Sequence, residues 1–326
     1  MAETENISKM ADKISKEIFS VFGWEKIGPK NVNWECVYPK EHLVSTHPSD
    51  VVFWYRHPYH NSKVYLNCDL KSYARKSIHK ASIGGAINTL CKAVECAQVS
   101  QKWQDLFLHK GVTPEITGLL FVYNHDGGYD SEFRNLLQMV DDTNFKIGSG
   151  CKVFIMSPFD VCYINTIANY ILRMRGIGEI PGSDNCSFFY PDLFRKKSML
   201  DSNASATIEM LLGPWQILKY KNGNSNGMVI YVKSHGETIE EFMYVIDYLI
   251  HYQVLGFMDS VCLKFPYESK ISASNFEKAI IEYARQQGED TQEYKILIER
   301  LSGKIRYESI TNVISSFSEI AIGMEG

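Results

Sequence analysis

The sequence predicts a mixed-sheet α/β domain with helices on both faces, followed by a smaller α+β domain. Three observations predict it. Helix-period and strand-period segments alternate as far as Arg175. Residues 176–206 are irregular and rich in Gly, Pro, Ser, Asp and Asn, which marks a boundary rather than the inside of a compact domain. Beyond them the pattern runs β-β-α-β-α-α-β, with no catalytic constellation, no internal repeat and no low-complexity tract. The expected organisation is a domain over 1–175, a linker over 176–206 and an accessory α+β domain over 207–326.

Residues 7–22 open the chain as an amphipathic helix, with Met10, Ile14, Ile18 and Val21 at helical spacing. Glu17 falls inside that stripe. An acid on a buried face needs a partner, either a cation or a metal-bound water. Residues 32–38 read as a strand. Two further β-branched and aromatic runs, 51–55 and 64–66, are separated by His57, Pro58, Asn61 and Ser62, the signal for two strands joined by a turn. A helix over 83–103 has Ile83, Ile87, Leu90, Cys91 and Val94 as its core face. Residues 116–123 form a buried strand, His125 to Gly128 a turn, and 130–140 a short helix. A strand at 152–156 leads through Pro158 into a helix over 161–173.

In the irregular segment, Phe188-Phe189-Tyr190 and Arg195-Lys196-Lys197 are suited either to nucleic-acid stacking and phosphate pairing or to packing the segment onto the first domain. The accessory domain begins with a hairpin, 215–221 and 228–233, around a six-residue loop. A helix over 238–255, a strand at 260–265, helices over 273–287 and 292–301, and strands at 305–310 and 313–322 complete it. Its core is expected around Phe242, Ile246, Ile250 and Phe276.

The chemistry concentrates between His47 and Lys80. Asp50 opens the first strand of the hairpin, and the second ends in Asp69-Leu70-Lys71. Side chains alternate along a strand, so Asp69 and Lys71 share a face. Pairing of the two strands brings Asp50 to the same end. Two converging carboxylates beside a lysine make a hard-cation site with an amine near a bound water. The acid-x-lysine tripeptide occurs three times, also at Glu268-Ser269-Lys270 and Glu293-Tyr294-Lys295. Only the first directly ends a strand-like run and follows a strand that starts with an acid.

This arrangement resembles the PD-(D/E)xK nuclease superfamily, the restriction-endonuclease-like fold. Pro48-Ser49-Asp50 matches the first element, with Ser49 interrupting the Pro–Asp pair, and Asp69-Leu70-Lys71 matches the second. The resemblance covers about residues 7–99 and implies a metal-dependent phosphodiester hydrolase. It implies that Asp50, Asp69 and the Leu70 carbonyl hold Mg²⁺ or Mn²⁺, that Lys71 orients or activates the attacking water, and that an upstream helical acid completes the site. Glu17 fits that role, with Glu25 and Glu35 as rivals. In bacteria, accessory domains on this core often accompany defence against foreign DNA. DNA is the favoured substrate. The accessory domain is expected to select substrate, pair with a further copy of the chain or engage a partner protein.

Composition bounds these readings. The 326 residues are 45% apolar and 22% charged, with a net charge of −4. No global basic field draws the chain to nucleic acid, so binding needs a local patch. Arg75, Lys76 and Lys80, next to Lys71, form the densest cationic segment near the site. None of the eight cysteines forms a CxxC pair, and no Cys/His group has zinc-finger spacing. The polar N-terminus is not a signal peptide and no apolar run approaches membrane-spanning length, so a soluble, cytoplasmic protein is expected. The rival to the enzyme reading is a nuclease fold reused without catalysis, as a nucleic-acid-binding or protein-interaction module. The negative charge and the interrupted Pro–Asp element favour that rival, and the intact Asp–Asp–Lys trio opposes it.

Overall fold

The computed structural model describes residues 13–140, 150–191, 204–288 and 292–311. These form a mixed α/β structure in two units, one reaching Ala168 and the other covering residues 169–313.

The spine of the first unit is a pair of twelve-residue strands, β5 (Ser62–Tyr73) and β6 (Thr113–Asn124), parallel and in register from Ser62 opposite Thr113 to Tyr73 opposite Asn124. Both strands carry long buried runs that cover both faces, as central parallel strands require. Strand β7 (Val153–Met156) extends the sheet in parallel beside β6. On the other side β4 (Val51–Arg56) pairs antiparallel with β5, and β1 (Glu25–Ile27) antiparallel with β4. The order is β1-β4-β5-β6-β7. A separate antiparallel ribbon, β2 (Val32–Glu35) with β3 (Thr46–Ser49), encloses the short helix α2 (Pro39–His42).

Helix α3 (Lys80–Val99) covers one face of the sheet. It comes so close that a methyl group at Gly118 of β6 would meet Leu90 and Val94 at 3.0 and 2.8 Å. The helix expected over 83–103 is in fact two. Ser100 is extended and its hydroxyl caps α4 (Gln101–Phe107) by accepting the Trp103 N–H, so a capping side chain ends one helix and starts the next. The expected core face of α3 is buried throughout. On the opposite face Phe19 stacks on Trp24 and meets Phe53 and Phe121 edge-on. Phe19 ends α1 (Ile14–Phe19), which is π-helical. Helices α5 (Phe133–Met139) and α6 (Pro158–Gly176) follow the strands of this unit, α6 running across the division.

The second unit has a five-stranded sheet in the order β12-β11-β10-β9-β8. Segment 176–206, expected to be irregular, supplies its edge strand β8 (Cys186–Phe188). Phe188, Phe189 and Tyr190 are buried there, with Phe189 in the core of this unit. They are therefore packing residues, not exposed stacking platforms. Arg195, Lys196 and Lys197 lie outside the described residues. After α7 (Ile208–Leu212), strands β9 (Trp215–Asn222) and β10 (Ser225–Val232) join through a tight two-residue turn, not the expected six-residue loop. Gly223, at φ +61, supplies the left-handed backbone the turn needs.

Strands β11 (Ser260–Phe265) and β12 (Ile305–Ser309) continue in parallel. Helices α8 (Ile239–His251), α9 (Val254–Phe257), α10 (Ser272–Gln286) and α11 (Gln292–Lys304) complete the unit. Phe242, Ile246 and Phe276 are buried in its core, with Ile250 packed at the margin. The strand expected at 313–322 lies outside the described residues. Among the described residues, no helix is long and apolar enough to cross a membrane.

Candidate active site

Antiparallel pairing of β4 and β5 sets Val51 opposite Cys68. Asp50 immediately precedes Val51 and Asp69 immediately follows Cys68, so both lie at the end of the paired run. The two carboxyls are close enough for the charge of Asp69 to act on Asp50. Asp50 sits at the bend between β3 and β4. Its backbone N–H donates to the Cys68 carbonyl at 3.3 Å, and its Oδ2 accepts the Leu70 N–H at 2.7 Å. Lys71, two residues beyond Asp69 on the same face, places Nζ 2.7 Å from Asp69 Oδ1. The Asp69 side chain is 11% exposed and that of Lys71 32%, so the lysine forms the solvent side of the group.

The electrostatics follow from that placement. Burial and then the charge of Asp69 raise the Asp50 carboxyl to about 6, against the opposing Leu70 N–H and Lys71. At Lys71, burial works to lower the ammonium's pKa, but contact with Asp69, aided by Asp50, outweighs it and the group lies above the ordinary lysine value. Lys71 is therefore a cation at neutral pH. The buried Cys68 thiol is pushed up by burial and then by both aspartates. Two half-hidden carboxylates that repel each other are relieved by a bound cation. The donors are all oxygen, which suits a hard divalent ion.

The residue interrupting the Pro–Asp pair has a place of its own. Ser49 is fully buried. Its Oγ accepts the indole N–H groups of Trp34 at 3.0 Å and Trp103 at 3.3 Å, and donates to Asn67 Oδ1 at 2.6 Å. This hub ties the residue before Asp50 to β5 two positions before Asp69. Sequence reasoning missed it. The available signal was Asn67, a polar residue between the apolar Leu66 and Cys68.

Glu17 is placed differently from the expectation. Ile18, Phe19, Val21 and Phe22 are buried, whereas the Glu17 side chain is 60% exposed and paired with Lys13 at 3.3 Å. It does not occupy the buried stripe, so nothing requires a metal-bound water as its partner. Glu25 is exposed on β1, and Glu35 is paired with Lys102 at 3.3 Å. Of the cationic segment, Arg75, Lys76 and Lys80 are all exposed. Arg75 and Lys76 lie in a 3₁₀ turn, and Lys80 opens α3, which is capped by His79 and Ser82. Asp126 accepts the Arg75 backbone N–H, and Asp130 pairs with its guanidinium at 2.8 Å. The other two acid-x-lysine copies lie elsewhere: Glu293 and Lys295 on α11, and Glu268 accepting the Tyr307 hydroxyl.

Residues 1–159 match the model of a family described as the GAPS4 protein PD-(D/E)XK nuclease domain. No curated protein and no solved structure matches the chain.

Proposed function

We propose that the N-terminal part of this chain, a PD-(D/E)XK nuclease domain by its family match, hydrolyses phosphodiester bonds of nucleic acid, with DNA as the favoured substrate. The observation that carries this reading is the convergence of Asp50, Asp69 and Lys71 at one end of the β4–β5 pair. Asp50, Asp69 and the Leu70 carbonyl would hold Mg²⁺ or Mn²⁺, which when bound acidifies water and neutralises phosphate charge. The Leu70 N–H keeps Asp50 aimed at Asp69. Lys71, held as an ammonium by Asp69, orients the attacking water and offsets negative charge developing on the phosphate oxygens. The water oxygen bonds to phosphorus as the bond to the leaving oxygen breaks, and that oxygen takes up a proton. Arg75, Lys76 and Lys80 are the proposed phosphate contacts. In this reading the second unit selects substrate, binds a partner or joins copies of the chain, and the setting is bacterial defence against foreign DNA.

The test is incubation of the full chain with duplex DNA, single-stranded DNA and RNA, each with Mg²⁺, Mn²⁺ or EDTA. Cleavage that requires the metal and disappears in Asp69→Ala supports the reading. Folded wild type inert on every substrate and metal would reassign the fold to a binding role.

A further inference from the structure

Away from Asp50 and Asp69, four side chains meet inside the first unit. Cys36 follows β2, His42 ends α2, His47 lies in β3 and Cys96 comes from the last turns of α3. All four are buried, and one ligand atom from each lies within 4.8 Å of the others. Four of the six separations match the edges of a metal tetrahedron. Cys36 Sγ and Cys96 Sγ are 3.7 Å apart, His42 Nδ1 and His47 Nε2 are 3.3 Å apart, and each sulfur is 3.4 Å from His42 Nδ1. A tetrahedral zinc with ordinary Zn–S and Zn–N bonds has edges of about 3.8 Å between sulfurs, about 3.3 Å between nitrogens and about 3.6 Å between the two kinds.

We propose that Cys36, His42, His47 and Cys96 form a closed zinc site that clamps the β2–β3 excursion onto α3. Thiolate and imidazole donors select zinc over the hard cations suited to an all-oxygen site. Two thiolates cancel the charge of the ion, so a neutral unit enters the buried interior. His42 Nε2 lies 3.2 Å from Glu95 Oε2. Donation of the Nε2 proton to that carboxylate leaves the Nδ1 lone pair facing the cluster, the outer-shell arrangement of zinc-bound histidines. Four protein ligands leave no open position, so the ion is structural. His47 is three residues before Asp50, and the clamp therefore holds the strand that delivers Asp50 to its partner.

The test is metal content of the full chain purified without chelator. The expected result is about one zinc ion per chain, lost in Cys36→Ser and Cys96→Ser and retained in Asp69→Asn, which separates this site from the carboxylate pair. Because a cysteine variant can fail to fold, a second arm uses wild type loaded with Co²⁺, which should show the intense visible bands of tetrahedral thiolate-bound cobalt. Folded wild type that takes up neither ion overturns the proposal. So does zinc content unchanged in both cysteine variants, or a Cys36–Cys96 disulfide in the isolated protein.

Discussion

Asp50 costs the metal-free protein stability. Its carboxyl, raised from 3.8 to about 6 by burial and then by Asp69, binds a proton in the folded state that the unfolded chain has released. Stability from this group is therefore present at low pH and lost as pH rises from about 4 through about 6. The shift corresponds to about 3 kcal/mol at neutral pH. Asp50→Asn removes the charge and keeps an acceptor for the Leu70 N–H. In EDTA its melting temperature should exceed that of wild type at pH 7, and the gap should close as pH falls to 4. A gap independent of pH would show that Asp50 is not the strained group. Lys71 separates chemistry from binding. Lys71→Ala should lower cleavage by on the order of 10²–10³-fold with folding intact. Lys71→Arg should not restore it, because the broader guanidinium does not fit the space of an ammonium held at 2.7 Å from Asp69. Cleavage rates of these variants beside their melting curves check both statements.

The elements around the site act as its frame. The Ser49 hub joins β3, β5, β2 and α4 through one hydroxyl. Ser49→Ala leaves Asn67 Oδ1 and two indole N–H groups short of a partner, and should cost about 1–3 kcal/mol by denaturant unfolding. An unchanged midpoint would show that the hub contributes nothing. The 3₁₀ turn and the start of α3 carry the exposed cations. Lys76→Ala and Lys80→Ala should each flatten the slope of log affinity against log salt by about one unit if each contacts a phosphate. Arg75→Ala also releases Asp130 from its ion pair, so its effect mixes a lost contact with a freed negative charge. Retention of the wild-type slope by the double lysine variant would make this segment a solvated face.

At the scale of the molecule, the second unit has a core cluster built from its own residues. Ile246 is fully buried in the second, and Ile246→Ala should destabilise that unit by about 2–5 kcal/mol. If the chemistry belongs to the first unit, cleavage per folded molecule should be unchanged below the melting transition, and the Asp50-dependent pH response should persist. Loss of cleavage by a folded Ile246→Ala protein would place part of the active machinery in the second unit.

The sequence by itself determined the alternation of helices and strands, the β4–β5 hairpin and the neighbourhood of Asp69 and Lys71. These follow from short-range physics: strand alternation puts Asp69 and Lys71 on one face, and an antiparallel hairpin pairs strands that are close in sequence, Val51 with Cys68. Glu17 was misread because a stripe drawn at 3.6 residues per turn does not describe a π-helical segment, whose hydrogen bonds span five residues. The loop at 222–227 was overdrawn because its Ser225, Asn226 and Gly227 are strand residues only by virtue of β9 and β11 beside them. Only tertiary structure decided the Ser49 hub and the cluster of Cys36, His42, His47 and Cys96. Their partners come from separate elements, Cys36 and Cys96 lying 60 residues apart, and no local period or spacing encodes a meeting that depends on how α3 packs over the ribbon.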